Sequence, residues 1–379
     1  MSKFLSLILS FIFTFFSFVS VLYAQDISAR HAVLIEADSG DIVFKKDAYA
    51  IAPMASTTKI MTALLAIESG KLNNTVTVPY EATGIEGSSI YLKEGEKLTL
   101  SQLVYALMLE SANDAATAIA IYVGGTYENF IEMMNAKANQ LGLESTNFTN
   151  PHGLDDPEHY TTAYDLAHLA LYAMENPKFE EIVATKKLVI PLYDDGSRVL
   201  VNHNKLLRMY DGAIGVKTGF TKKCGRCLVS CAERDGVKLI CTTLNAPNDW
   251  NDHKNLLDFG FSQYECITLA EAGDYTLSLD LVGGEKSNIL CSNYDSLSVT
   301  LKKGNRDNIR AVTEYDRLLC APIKQGDKVG RILFYCGDRI IGECKLYALE
   351  NIKAVKYKKS FLERIFGRYG KNKTSKVFY

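Results

Sequence analysis

The chain has 379 residues, of which 47% are hydrophobic and 23% charged, with a formal net charge of −2. That length leaves room for two or three units, each burying its own core, and the composition excludes wholesale disorder. The near-balanced charge gives no reason to expect a nucleic-acid partner, but the balance is uneven along the chain. From Lys353 onward nine Lys and Arg stand against one Glu, so a basic tail follows an acidic body.

Residues 1–24 read as an export signal. Lys3 supplies a positive start, Phe4 to Ala24 is uncharged and apolar, and Leu22-Tyr23-Ala24 ends on a small residue suited to cleavage. The small residue favours cleavage over an uncleaved anchor, and either outcome places the body outside the cytoplasm. After it, His31–Glu36 and Ile42–Phe44 flank the polar turn Asp38-Ser-Gly-Asp41 and predict a β-hairpin. Ser56 to Glu68 predicts a buried helix stopped at Gly70. Thr99-Leu-Ser-Gln102 opens a second helix, which runs to about Glu110 and is interrupted at Ser111-Ala-Asn113-Asp114 before a third begins at Ala115. Thr126 to Leu141 is helical and closed by Gly142. Thr162-Ala-Tyr-Asp165 reads as a capping box for a helix ending before Pro177.

The pattern then turns to strands at Ala213–Thr218, Cys227–Glu233 and Val237–Leu244, the last two joined by Arg234-Asp-Gly236. Strands at both ends and helices between them predict one α/β (α+β) unit over 25–264, its antiparallel sheet closed by the N-terminal hairpin and flanked by helices. From 265 to 352 helical periodicity disappears. Tyr275–Val282, Leu297–Leu301, Val329–Cys336 and Ile340–Leu346 predict a small all-β domain. The tail, 353–379, places Phe361, Leu362, Ile365 and Phe366 among Lys358, Lys359, Arg364 and Arg368, as a basic amphipathic segment lying on an anionic membrane surface would.

All nine Cys follow residue 223, and an odd number cannot all pair within one chain. Cys224, Cys227 and Cys231 form C-x-x-C-x-x-x-C. No His or fourth Cys lies close by and the segment reads as a strand, so no metal is assigned.

Three triplets carry the chemistry: Ser56-Thr-Thr-Lys59, Ser111-Ala-Asn113 and Lys217-Thr-Gly219. Each is weak alone; in this order, each in its own structural setting, they form one constellation. Residues i and i+3 share a helix face, which puts Lys59 one turn from Ser56. A serine hydroxyl is a poor nucleophile until a base takes its proton, and a lysine is a base only when burial or a neighbouring cation such as Lys217 lowers its pKa. The Ser56 N–H, at a helix start, is placed to meet an oxyanion. Ser111 is positioned to relay a proton, and the Asn113 amide to hold a substrate carbonyl. Lys217-Thr218-Gly219 predicts an edge strand that an extended peptide could join, with Gly219 making room for substrate backbone and Lys217 and Thr218 meeting a terminal carboxylate.

With Asn150-Pro-His-Gly-Leu154, Thr161-Thr-Ala-Tyr-Asp165, Asn202-His-Asn-Lys-Leu206, Lys217-Thr-Gly-Phe-Thr221 and Pro322-Ile-Lys-Gln-Gly-Asp-Lys-Val329, the chain resembles the serine D-alanyl-D-alanine carboxypeptidases, low-molecular-mass penicillin-binding proteins, from about Ala29 to Val355. The resemblance implies Ser56 as acylated nucleophile, Lys59 as its base, Ser111 and Asn113 in the cleft, Lys217 on substrate, and an oxyanion hole from the N–H groups of Ser56 and Phe220. It implies peptidoglycan stem peptides as substrate, β-lactams as inhibitors and no cofactor. One departure is Cys224-Gly225, where many members have Ala-Gly, which brings a thiol near the substrate strand.

The triplets also serve class A β-lactamases, but their Glu-x-x-Leu-Asn signature is absent between Asn113 and Lys217, and they lack the β domain. A DD-endopeptidase or transpeptidase stays open, since the difference lies in the acceptor side of the cleft. A non-catalytic peptidoglycan-binding module would be free to lose Ser56 or Lys59, and both are present. No Gly-x-Ser-x-Gly elbow supports a Ser-His-Asp hydrolase. His152 reads as a brace for its loop and Asp165 as a helix cap.

Overall fold

A computed structural model describes residues 26–191, 196–316 and 318–355. The predicted leader and the amphipathic tail beyond 355 lie outside the described residues. The chain divides into two compact units at Gln263/Tyr264.

The first unit is built on a five-stranded antiparallel sheet. Strands β1 (His31–Glu36), β2 (Ile42–Lys46), β3 (Ala213–Thr221), β4 (Gly225–Arg234) and β5 (Val237–Leu244) lie in the order β2-β1-β5-β4-β3. The N-terminal hairpin thus completes a sheet otherwise made from the end of the unit, pairing His31 with Leu244. Every residue of β1 is buried because both sheet faces are covered, so apolar side chains do not alternate with polar ones as in a half-exposed strand. Leu34 and Leu239 lie against Gly260 of the helix α7 (Asp249–Gln263), while Val33, Ile35 and Ile240 join the main helical core.

That core holds α1 (Lys59–Glu68), α2 (Leu100–Leu109), α3 (Asn113–Gly124), α4 (Tyr127–Gln140), α5 (Ala163–Met174) and α6 (Pro177–Ala184). The predicted helix from Ser56 is two pieces: Ala55–Thr58 forms a tight 3₁₀ turn, and the α-helix begins at Lys59. At α2 the capping box closes in both directions, Gln102 N–H to Thr99 Oγ1 at 3.1 Å and Thr99 N–H to Gln102 Oε1 at 2.8 Å. At α5 only half of the expected box forms. Thr162 Oγ1 accepts from Asp165 N–H, but the Asp165 carboxylate turns away to accept from Ser145 N–H and Thr146 Oγ1. It fastens a neighbouring loop instead of the helix start. Helix α6 was not foreseen, although Asn176 as N-cap followed by Pro177 is its signal.

The second unit, from Tyr264, contains a six-stranded sheet and a separate antiparallel pair, Tyr264–Ala270 with Leu297–Lys302. In the larger sheet the order is Ile309–Glu314, Lys328–Cys336, Arg339–Ala348, Asn288–Asn293, Leu277–Val282, Leu319–Cys320, all antiparallel except the last pair. Leu279, Ile289, Phe334 and Leu346 form the centre of its core. The unit is all-β, as read, with the strands at 264, 288, 309 and 319 added.

Asp252 fixes the start of the described chain to α7. Its buried carboxylate accepts from Ser28 N–H (2.9 Å), Ser28 Oγ (2.7 Å) and Ala29 N–H (2.9 Å). Asp252→Ala strands these donors, and urea unfolding of residues 25–355 should show a loss of about 3 kcal/mol.

Candidate active site

Lys59 is completely buried, yet its amine has three polar neighbours. Nζ lies 3.0 Å from Ser56 Oγ and 2.7 Å from Asn113 Oδ1, and it also contacts the His152 carbonyl oxygen. Burial, with the repulsion of Lys217 added, lowers its pKa well below that of an ordinary lysine; Asp114 opposes the shift. The neutral amine has two N–H groups and one lone pair. Asn113 Oδ1 and the His152 carbonyl can only accept, so they take the two N–H groups and leave the lone pair for the Ser56 hydroxyl proton. Burial favours the neutral form of the lysine, and in that form the geometry aims its lone pair at Ser56.

Ser111 and Asn113 occupy the break between α2 and α3. Ser111 has φ of +60°, a left-handed backbone that turns the chain sharply between the helices. No hydrogen bond joins its side chain to Lys59 among the described residues; Asn113 holds the amine. The Asn113 amide is therefore less free than the sequence suggested, because Nδ2 also donates to the Glu86 carbonyl at 2.6 Å. Asn113 N–H donates to the Ser88 carbonyl at 2.7 Å. Next to it, the buried Asp114 carboxylate accepts from Ser89 Oγ (2.6 Å), Leu92 N–H (2.9 Å) and Ile90 N–H. Asp114 thus anchors the 86–92 loop that presses Asn113 toward Lys59, a role the sequence reading did not assign it.

Lys217, Thr218 and Gly219 lie within β3, the sheet edge, and the strand continues to Thr221, past the predicted end at Thr218. Gly219 has a reason within the chain itself. A Cβ there would sit 3.2 Å from both the Met54 carbonyl oxygen and Ser56 N, so the missing side chain admits the turn that carries Ser56. This brings Ser56 N–H alongside the strand, one residue from Phe220. Lys217 is buried, Nζ donates to the Thr218 carbonyl at 3.2 Å, and burial pushes its pKa down to about 7 against the opposing pull of Glu110. Glu110 in turn pairs with His203 at 3.1 Å, in the Asn202–Leu206 segment.

The 150–154 loop closes the back of the site. Asn150 Oδ1 accepts from Gly153 N–H at 2.7 Å, and the Pro151 carbonyl accepts from Thr62 Oγ1 of α1 at 2.6 Å. His152 faces Tyr127 OH at 3.5 Å, and its ring is held neutral by burial, with a pKa lowered to about 3. His152 braces its loop, as read, while its carbonyl does something no side-chain motif could signal. His159 is a second brace. Nδ1 accepts from Thr149 N–H, which leaves Nε2–H to donate to Thr58 Oγ1 at 2.7 Å. Among the described residues no three His, Cys, Asp or Glu side chains converge as a metal site requires.

Residues 19–248 match the family model of D-alanyl-D-alanine carboxypeptidases, peptidase S11. The chain belongs to that family. Residues 264–354 match the C-terminal domain of penicillin-binding protein 5. Among relatives, D-alanyl-D-alanine carboxypeptidase DacF of Bacillus subtilis is 31% identical over 91% of this chain and 91% of its own. DacC of Escherichia coli is 32% identical over 90% of this chain and 88% of its own. The crystal structure of penicillin-binding protein 5 from Haemophilus influenzae superposes with a TM-score of 0.65 at 28% identity, covering 86% of this chain and 98% of that one. This chain is a serine-type D-alanyl-D-alanine carboxypeptidase with the penicillin-binding fold.

In this carboxypeptidase the 150–154 loop and the Ser56 turn touch at one point. Gly153 has φ of +89°, and a Cβ there would lie 2.0 Å from the Ala55 carbonyl oxygen and 2.9 Å from Ser56 N. Gly153→Ala must push the Ser56 turn away from Lys59. Its acylation by penicillin should fall by about 100-fold in stopped-flow measurements, with the circular dichroism spectrum of the folded enzyme retained.

Proposed function

We propose that Ser56 is the acylated nucleophile of this carboxypeptidase, Lys59 its general base, and Lys217 the group that meets the terminal carboxylate of a peptidoglycan stem peptide. The observation that carries this reading is the placement of the Lys59 amine, which contacts two carbonyl acceptors and Ser56 Oγ, so that the neutral amine gives its two N–H groups to the carbonyls and turns its lone pair to Ser56. The stem peptide joins β3 as an extended strand, its C-terminal D-Ala carboxylate near Lys217 and Thr218. Lys59 takes the Ser56 proton as Oγ attacks the carbonyl between the two D-alanines. The oxyanion is met by the N–H groups of Ser56 and Phe220. The tetrahedral intermediate collapses, the C–N bond breaks, and the departing D-Ala amine takes the proton from Lys59, with Ser111 as the relay once bound substrate bridges its hydroxyl to the lysine. Water, deprotonated by the same lysine, then attacks the acyl-enzyme and restores Ser56. Asn113 keeps Lys59 in place throughout. Penicillin enters by the same attack.

Export and attachment belong to the same proposal. The apolar leader and the basic, amphipathic tail place the enzyme on the outer face of the cytoplasmic membrane, where its substrate is. No helix among the described residues is long and apolar enough to cross a membrane. The domain limits, 25–264 for catalysis and 265–352 for the β unit, accompany this reading.

Mass spectrometry of diacetyl-Lys-D-Ala-D-Ala incubated with residues 25–355 should show loss of one D-Ala. Ser56→Ala should lower that rate by at least about 1,000-fold and abolish the covalent penicillin adduct. Release by the Ser56→Ala enzyme at the wild-type rate would exclude Ser56 as nucleophile.

The pH profile follows from two lysines used in opposite states. Lys59 must be neutral, so activity rises as pH climbs through its lowered pKa. Lys217 must be charged to hold a carboxylate, so kcat/KM falls as pH rises through about 7. Bound carboxylate favours charged Lys217, so the falling limb of kcat should lie at higher pH than that of kcat/KM.

A further inference from the structure

The Cys224-x-x-Cys227 pair has no part in this mechanism, yet it is built into the floor of the site. The two Sγ atoms are 3.0 Å apart, about 1 Å more than a disulfide bond. Both residues are buried, at 2% and 0% exposure. Local structure makes them converge. Cys224 N–H donates to Thr221 Oγ1 at 2.9 Å, Gly225 turns the chain with φ of +72°, and Cys227 enters β4 directly opposite Gly219. Thr221 Oγ1 in turn donates to Asp155 Oδ1 at 2.9 Å, which ties the same turn to the loop beyond Gly153. Both sulfurs face the carbonyl of Pro53, Cys224 Sγ at 3.0 Å and Cys227 Sγ at 4.0 Å. Pro53 leads into the turn that carries Ser56. The pair therefore lies where the substrate strand, the β3–β4 turn and the nucleophile's turn meet.

We propose that Cys224 and Cys227 are a disulfide site, closed by thiol–disulfide exchange during folding, that staples the β3–β4 turn beneath the nucleophile. The oxidant is a disulfide, either a small molecule such as oxidised glutathione or a protein. One cysteine thiolate attacks a sulfur of that disulfide and releases one thiol, leaving a mixed disulfide. The second cysteine thiolate then attacks the bound sulfur and releases the other thiol. Two electrons pass to the oxidant, which leaves as two thiols with the two protons that Cys224 and Cys227 gave up. The Cys224 thiol is pushed up in pKa by its neighbour Cys227 and by burial, so little thiolate exists once the sheet has closed. Closure therefore belongs to the folding chain, before β3 and β4 bury the sulfurs. The supply of oxidant rests on the export reading above; the geometry of the pair does not.

Residues 25–355 are refolded in parallel in glutathione redox buffer and in excess reductant, alkylated after denaturation, and digested with trypsin without reduction. The redox-buffer sample should yield Cys-Gly-Arg, residues 224–226, joined to the peptide 227–234. Fragmentation should place the bond at Cys227, not Cys231, and Cys227→Ser should lack it. The oxidised enzyme should melt a few degrees higher than the reduced one and be acylated by penicillin at the same rate. Full alkylation of Cys224 in redox-buffer enzyme that still reacts with penicillin would overturn the proposal. So would a bond from Cys224 to any other cysteine in that enzyme. A linked peptide in a protein that neither binds penicillin nor releases D-Ala would leave the disulfide standing and remove the catalytic reading instead.

Discussion

A fully buried amine organises the catalytic unit. Lys59 sits at 0% exposure, where a full positive charge is costly to hold without a counter-ion. The protein supplies carbonyl oxygens to its amine, from Asn113 and His152, and keeps the carboxylate that acts on it, Asp114, engaged with the 86–92 loop. Carbonyls satisfy N–H groups without stabilising a cation as strongly as a carboxylate would. The contact to Ser56 is then the one in which lysine accepts. Much of the surrounding structure holds these three neighbours in place.

Three segments distant in sequence are required for this, and each is pinned separately. The Ser56 turn is clasped between Gly219 on the edge strand and Gly153 on the rear loop, two positions where a side chain would collide with its backbone. The Asn113 break is pressed inward by a loop that Asp114 binds through three donors. The His152 carbonyl is fixed because Asn150 and Thr62 tie down the residues on either side. Such redundancy provides preorganisation, since the groups need not rearrange when a tetrahedral oxyanion forms.

The three triplets were legible in the sequence because their chemistry lies in side chains at fixed spacing. Ser56 and Lys59 are one turn apart whatever the tertiary structure. The apolar helices and the closing antiparallel sheet were legible for a similar reason, their periodicity being local. What escaped notice depends on backbone or on distant partners. The His152 carbonyl has no signature in any residue name. Asn113 could be placed in the cleft, but which way its amide points is decided by Glu86, 27 residues away. Asp165 satisfies the pattern of a capping box while its carboxylate binds Ser145 and Thr146. In the second unit, Leu319–Cys320 is too short to show alternation, and Ile309–Glu314 is a half-exposed strand with charged residues at Arg310 and Glu314.

The position of β3 at the border of its sheet has one further consequence. An unpaired strand border is a hazard for any protein, because it offers backbone hydrogen bonds to whatever extended segment drifts past. In the proposed binding mode the hazard and the substrate platform are the same surface, and Phe220, 63% exposed, adds apolar area to it. The usual remedies, a proline or a charge pointing outward, would block the ligand as well. What remains is selection by chain end. In the proposed role of Lys217, that buried lysine, when charged, favours a segment that terminates in a carboxylate, and the interior of a passing polypeptide has no chain end to offer. The enzyme's border is protected less by being covered than by being particular about where a chain stops.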